Sequence, residues 1–184
     1  MCTKTDINKS FQRLEKSLTD VIAEEQAKLG YMKEAMRLYY PLSSLKHFFE
    51  SNDASADDML KLLSAFPDFC SARLGGMKIS HDGETFCFYL APEASEYVHL
   101  NKAENEFIFR LAELLQGHDT KLDTVISFFK EYGTCDIKEI NNGEFDILIR
   151  FTDGDDPYYY CFKDEGCHVI YHRFLPEDYM DFEF

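Results

Sequence analysis

Asp82-Gly83 stands between two stretches, residues 77–81 and 84–90, in which apolar and polar side chains alternate. The dipeptide suits a two-residue type I′ turn, where both central residues take positive φ. A turn set there pairs Ile79 with Phe86 and Met77 with Phe88 on one face. Lys78, Ser80, Thr85 and Cys87 fall on the other, so the hairpin has a self-consistent register.

Helical periods lie on both sides of this hairpin. Ile7, Phe11, Leu14, Leu18 and Val21 make a narrow apolar stripe, closed by Leu29-Gly30. A coiled-coil seam has the same average spacing, but Glu25 takes its next position, which favours packing on the protein's own core over a dimer zipper. Tyr40 precedes Pro41 and is pushed out of the helical region, so Leu38-Tyr39-Tyr40 should run extended. Ser43 or Ser44 is placed to cap a short helix reaching Glu50. Ser55 with Asp58 caps another, faced by Met59, Leu60, Leu63 and Phe66 and ended by Pro67. Beyond the hairpin, Asn101 with Glu104 opens a helix faced by Phe107, Ile108, Leu111, Leu114 and Leu115 and closed by Gly117. Thr120 with Asp123 opens the next, faced by Leu122, Val125, Ile126 and Phe129 and closed by Gly133.

Residues 135–184 read as strands. Asn141-Asn142-Gly143 works best as a three-residue loop with Gly143 left-handed, which pairs Ile137 with Ile147 and Cys135 with Ile149. Residues 145–151 alternate, so one face of that strand should be wet. Residues 158–162 and 169–174 are apolar or aromatic on both faces and belong centrally in the sheet or under cover on both sides, with Glu165-Gly166 turning between them. Segregated runs predict an α+β protein. One domain is expected over 1–184, helix-rich over 1–134, with a four-strand antiparallel meander over 135–184.

Lys and Arg total 19 against 34 Asp and Glu, a net charge of −15. Residues 135–184 hold 13 of the acids and 4 of the bases, hence −9 of that total, with 11 of the 28 aromatics (17 Phe plus 11 Tyr). Such a field repels nucleic-acid phosphate and anionic membrane, and speeds encounter with a basic protein. No uncharged apolar run approaches the ~18 residues of a membrane span, and residues 1–30 lack the apolar core of a secretory signal. A cytoplasmic protein is expected, with its six cysteines as free thiols.

Cys161, Cys167, His168 and His172 invite a zinc reading, but their spacing fits no standard finger. On a strand, Cys167 and His168 point to opposite faces, and His168 lies ~13 Å from His172. Asp153-Gly154-Asp155-Asp156 lacks the later ligands of a calcium loop and reads as a solvated turn. No bound metal and no cofactor is expected. Motifs for a serine nucleophile, a zinc-protease helix or a phosphate loop do not occur. Any Cys pairs with any His on paper, and nothing local singles out a nucleophile.

Two aromatic–cation clusters remain. Arg37-Leu38-Tyr39-Tyr40-Pro41 sets a guanidinium beside two phenols, and His172-Arg173-Phe174 with Asp178-Tyr179 does the same at the end of the sheet. Arg173 should alternate away from His172. These residues either tie the tail to the sheet, with an arginine answering a carboxylate, or form a binding site for a ligand or partner.

The segment Glu34-Ala35-Met36-Arg37-Leu38-Tyr39-Tyr40-Pro41 with Leu45, then Tyr97-Val98-His99, then Tyr171-His172-Arg173-Phe174 with Asp178-Tyr179, resembles a bacterial family known as a domain of unknown function. The resemblance implies a single full-length domain and carries no activity, substrate or cofactor with it. The expectation is an interaction protein, inhibitor-like or immunity-like, monomeric or weakly homodimeric, whose acidic aromatic C-terminal sheet meets a basic protein. The rival is a small-molecule or enzymatic site between helices and sheet, using His99, His172 and Arg173.

Overall fold

The computed structural model describes residues 4–154 and 156–176. The chain is α+β and forms two compact units, Met1–Phe109 and Arg110–Phe184. In the first, α1 (Lys4–Leu29) precedes β1 (Met36–Pro41), α2 (Leu42–Phe49), α3 (Ala56–Leu62) and α4 (Phe66–Leu74). The hairpin β2 (Met77–Asp82) and β3 (Thr85–Leu90) follows, then α5 (Pro92–Leu100). α6 (Glu106–Gln116) spans the boundary. The second unit continues with α7 (Leu122–Tyr132), β4 (Cys135–Glu139), β5 (Ile147–Phe151), β6 (Tyr159–Asp164) and β7 (Val169–Phe174).

The first unit is organised around α1, which packs against α2, α4, α5 and the short 3₁₀ turn Lys102–Asn105. Phe11, Leu14, Leu18 and Ile22 are buried, whereas Val21 is only half-buried. A straight helix turns once in about 3.6 residues, so a stripe begun at Phe11 passes to Ile22 rather than Val21. Burial extends well beyond the stripe, taking in Ser10, Glu15, Ser17, Thr19, Asp20 and Gln26. Thr19 and Asp20 are answered within α1, by the carbonyl and the ammonium of Lys16, whereas Ser17 and Gln26 are answered from other elements. Ser17 and Tyr40 share a hydroxyl–hydroxyl bond of 2.8 Å, and Gln26 Nε2 donates to the Ser95 carbonyl at 2.7 Å.

The extended segment expected before Pro41 is β1, and it adds a third strand to the hairpin in the order β1-β3-β2. Met36, Leu38, Tyr40, Phe86, Phe88 and Leu90 form its dry face. The turn is not Asp82-Gly83. Asp82 still pairs with Thr85, and the loop is Gly83-Glu84, which moves Ile79 opposite Phe88. Gly83 alone takes positive φ (55°) there, the arrangement of a turn with glycine at its first central position. Because the slip is two residues, each side chain keeps its expected face.

Helix starts differ from expectation where a proline or a tertiary bond intervenes. α2 begins at Leu42, directly after Pro41, and Ser44 is buried within it. Ser55 does cap α3, accepting from Asp58 N at 3.2 Å. Pro67 does not end a helix; it occupies the first turn of α4, where its missing N–H costs nothing. Pro92 opens α5 in the same way, a helix the sequence reading passed over. Thr120 does not cap α7, because its hydroxyl turns back to the Leu114 carbonyl at 2.7 Å.

In the second unit the meander runs β4-β5-β6-β7, as expected. Phe129 of α7 lies on one face, its ring 5.3 Å from Phe151, 5.0 Å from Tyr160 and 5.6 Å from Phe162. The opposite face carries Phe145, Leu148 and Cys161, flanked by Ile140, Tyr159 and Phe174. Leu148 is therefore buried, so the face of β5 expected to be wet is open only at Arg150. β6 is central, but β7 is the end strand of the order, with Ile170 and His172 exposed rather than covered. Register again slips by two: Ile137 faces Ile149 and Cys135 faces Phe151. The cause is Asn142, whose side-chain oxygen accepts from Glu144 N and Phe145 N and draws Phe145 into the core. Pairing therefore stops at Ile140, whose N–H meets the Asp146 carbonyl. Gly143 is left-handed as expected, at φ 88°.

Phe129→Ala removes the ring on which three sheet aromatics rest and should cost ~3–5 kcal/mol in urea unfolding. Leu100→Ala, at a side chain 80% exposed, should stay within ~0.5 kcal/mol of the parent. Equal effects would mean that α7 does not seat on this sheet.

Candidate functional site

Period-two geometry divides the first aromatic–cation cluster. Arg37 and Tyr39 project from the outer face of β1-β3-β2, while Tyr40 is in the core on Ser17. Arg37 lies opposite Tyr89, its guanidinium 6.0 Å from the ring centroid. Tyr39 is 62% exposed.

The second cluster divides likewise. His172 faces Cys161 across the strands, edge-on to Phe145 at 5.6 Å and stacked on Phe174 at 5.9 Å. Arg173 points to the other face, with its guanidinium 4.4 Å over Tyr158. His172 and Arg173 thus serve different surfaces. His99 is exposed on α5 in the first unit, and Asp178 lies outside the described residues.

Four of the described C-terminal carboxylates, Asp146, Asp153, Asp156 and Asp164, accept from backbone amides. Asp153 accepts from Thr134 N through both oxygens at 3.0 Å, a bond that keeps its carboxyl below the usual carboxylate range. Asp156 accepts from Tyr158 N at 2.9 Å and Tyr160 OH at 2.8 Å. Asp146 accepts from Asp164 N, and Asp136 pairs with Arg150 at 2.6 Å. Glu139 at the end of β4, Glu144 on the β4–β5 loop and Glu165 on the β6–β7 turn remain exposed at one end of the meander.

Among the described residues no three His, Cys, Asp or Glu side chains are placed to hold a metal ion. Burial pushes the Cys70 thiol up to about 12 and the Cys161 thiol up to about 11, with Glu15 and Glu144 adding in turn. Cys135 is raised too, chiefly by burial. Cys167 differs: it is exposed on the β6–β7 turn, its Sγ 3.1 Å from His168 Nδ1.

One group of ionisable residues escaped the sequence reading. Glu15 of α1 is buried and accepts from Arg73 of α4 at 3.1 Å. Tyr97 of α5 donates to both oxygens of Glu104, at 3.0 and 2.8 Å. Burial lifts the Glu15 carboxyl above 4.5, Arg73 opposes this, and Glu104 reinforces it. Tyr97 is raised by burial and then by its bond to Glu104. The available signal was Glu15 itself, a carboxylate directly beside Leu14 on the apolar stripe.

Two measurements probe these environments. Maleimide labelling of the native chain, read by peptide mass spectrometry, should modify Cys167 before Cys70, Cys135 or Cys161; faster labelling of Cys161 would refute the burial described. For Glu15, the native carboxyl holds its proton more tightly than the unfolded one. Its stabilising contribution is complete below pH ~4.5 and declines as pH rises through the higher native value. Glu15→Gln should flatten the decline in urea midpoint across that window, and an unchanged slope would count against it.

A family model described as "Domain of unknown function, E. rectale Gene description (DUF3877)" matches residues 11–182. Comparisons with curated proteins and with solved structures return no match.

Proposed function

Because the chain belongs to this domain-of-unknown-function family, which brings no chemistry with it, we propose from its own surfaces that it is an interaction protein whose C-terminal sheet meets a basic protein partner. The observation that carries the reading is the hairpin end of the meander. There Glu139, Glu144 and Glu165 are exposed and tied to no turn, whereas Asp146, Asp153, Asp156 and Asp164 are spent on backbone amides. The same sheet presents exposed Ile170 and His172 on β7, with half-buried Tyr159 and Phe174 at the far end of the β6–β7 pair. Aromatic side chains with a polar rim are the usual make-up of a contact surface, and rim carboxylates act mainly on encounter rate. The Cys167–His168 contact, by contrast, stands open on a turn without the enclosure a substrate pocket provides.

The test replaces the carboxylates that have no structural duty. Glu139→Gln, Glu144→Gln and Glu165→Gln together should lower the association rate for a captured basic protein roughly tenfold at low salt and much less at high salt. The dissociation rate should change little. Capture of no basic protein, or an association rate indifferent to both salt and the triple change, would overturn the proposal.

A further inference from the structure

The outer face of the first sheet carries charge of the opposite sign. β3 lies between β1 and β2, so Tyr89 stands opposite both Arg37 and Lys78. One row across three strands therefore reads guanidinium, phenol, ammonium, and the next row begins with Tyr39. All four side chains are exposed, Tyr39 at 62% and Tyr89 at 40%.

Carboxylates outnumber cations 34 to 19, yet Lys9, Lys46 and Lys130 also stand without an ion pair among the described residues; what sets Arg37 and Lys78 apart is that they share one row of a sheet. Arg13, Lys16, Lys28, Lys33, Lys61, Arg73 and Arg150 each have an acidic partner. Arg37 and Lys78 have none among the described residues, although the sheet sets them two strand spacings apart on one face. Two uncompensated cations flanking a tyrosine make an anion-recognising surface with aromatic area at small entropic cost.

We propose that this face docks an acidic peptide segment carrying two carboxylates at positions i and i+3. The spacing argues for it. Arg37 and Lys78 sit two strand spacings apart, ~9.6 Å. A polyproline II segment rises ~3.1 Å per residue with three residues per turn, which sets every third side chain on one side ~9.3 Å apart. An apolar side chain near the pair lies on Tyr39. A row of exposed side chains encloses no small anion, which needs a concave site. A nucleic acid presents a continuous run of phosphates, which the net charge of −15 opposes more than it opposes a segment with two carboxylates, and two cations do not make the extended basic stripe such a run needs.

A random peptide library displayed on phage, selected on the full chain and counter-selected on the Arg37→Gln, Lys78→Gln double variant, tests this. The enriched sequences should share two acidic residues three apart. A synthetic peptide from that set, followed by fluorescence anisotropy, should lose roughly tenfold or more in affinity on the double variant and when its acids become Gln. Tyr39→Ala should weaken binding without altering its salt dependence, while the Glu139, Glu144 and Glu165 triple variant should bind as the parent does. Since Arg37 and Lys78 are exposed, an unchanged urea midpoint establishes that the double variant is folded. Failure to enrich, enrichment without acidic residues, equal binding by the double variant, or tighter Arg37-dependent binding of a single-stranded oligonucleotide would each overturn the proposal.

Discussion

A helix enclosed on most of its circumference must find a partner for the polar side chains it takes in, because an unpaired buried dipole costs more than a hydrogen bond returns. α1 is such a helix, and its solutions organise the first unit. Ser17 ties it to β1 through Tyr40, Gln26 to α5 through Ser95, and Glu15 to α4 through Arg73. Each bond joins α1 to a different element, so the polar set orients what the apolar stripe merely attracts. Leu14, Leu18 and Ile22 would tolerate several arrangements of neighbouring helices; a tyrosine hydroxyl at 2.8 Å from a serine tolerates few.

Faces were legible in the sequence and registers were not, for a physical reason. Which side of a strand a residue occupies depends on its parity, and a two-residue slip preserves parity. Both hairpins slipped by two, and in both a side chain or glycine near the turn decided the outcome. Gly83 moved the first loop one place along, and Asn142 folded the second around its own carboxamide. Local propensity ranks such loops within a fraction of a kcal/mol, whereas burying Phe145 is worth ~2 kcal/mol, so the loop that Asn142 holds is the one the core rewards. The third strand of the first sheet was unreadable for another reason. Tyr40 before Pro41 announces extended backbone, but nothing local says that it pairs with β3.

The same division holds for the surfaces. Arg37 and Tyr39 were visible as a cation beside a phenol, while Tyr89 and Lys78 complete the row only once β3 separates two distant segments. The C-terminal acids were visible as an excess of charge, yet composition cannot distinguish an aspartate holding a turn from a glutamate left to solvent. The short side chains of Asp146, Asp153, Asp156 and Asp164 reach backbone amides. Asp was therefore the residue to suspect of local duty, and Glu the one left over for encounter.

Gly133 ends α7 where a glycine is so often a left-handed stop, but its φ is 174°, an angle open to any amino acid. What reserves the position is crowding. A Cβ there would stand 2.7 Å from Asp153 Oδ1 and 3.1 Å from the Phe151 ring. Any side chain would push the carboxylate off the Thr134 amide that leads into β4. The position is thus coupled to a residue twenty places away, and drift at either site is constrained by the other. A chain that lost Asp153 would shed the tighter of the two contacts and leave only the Phe151 ring to give way, so among relatives changes at the two positions should be linked.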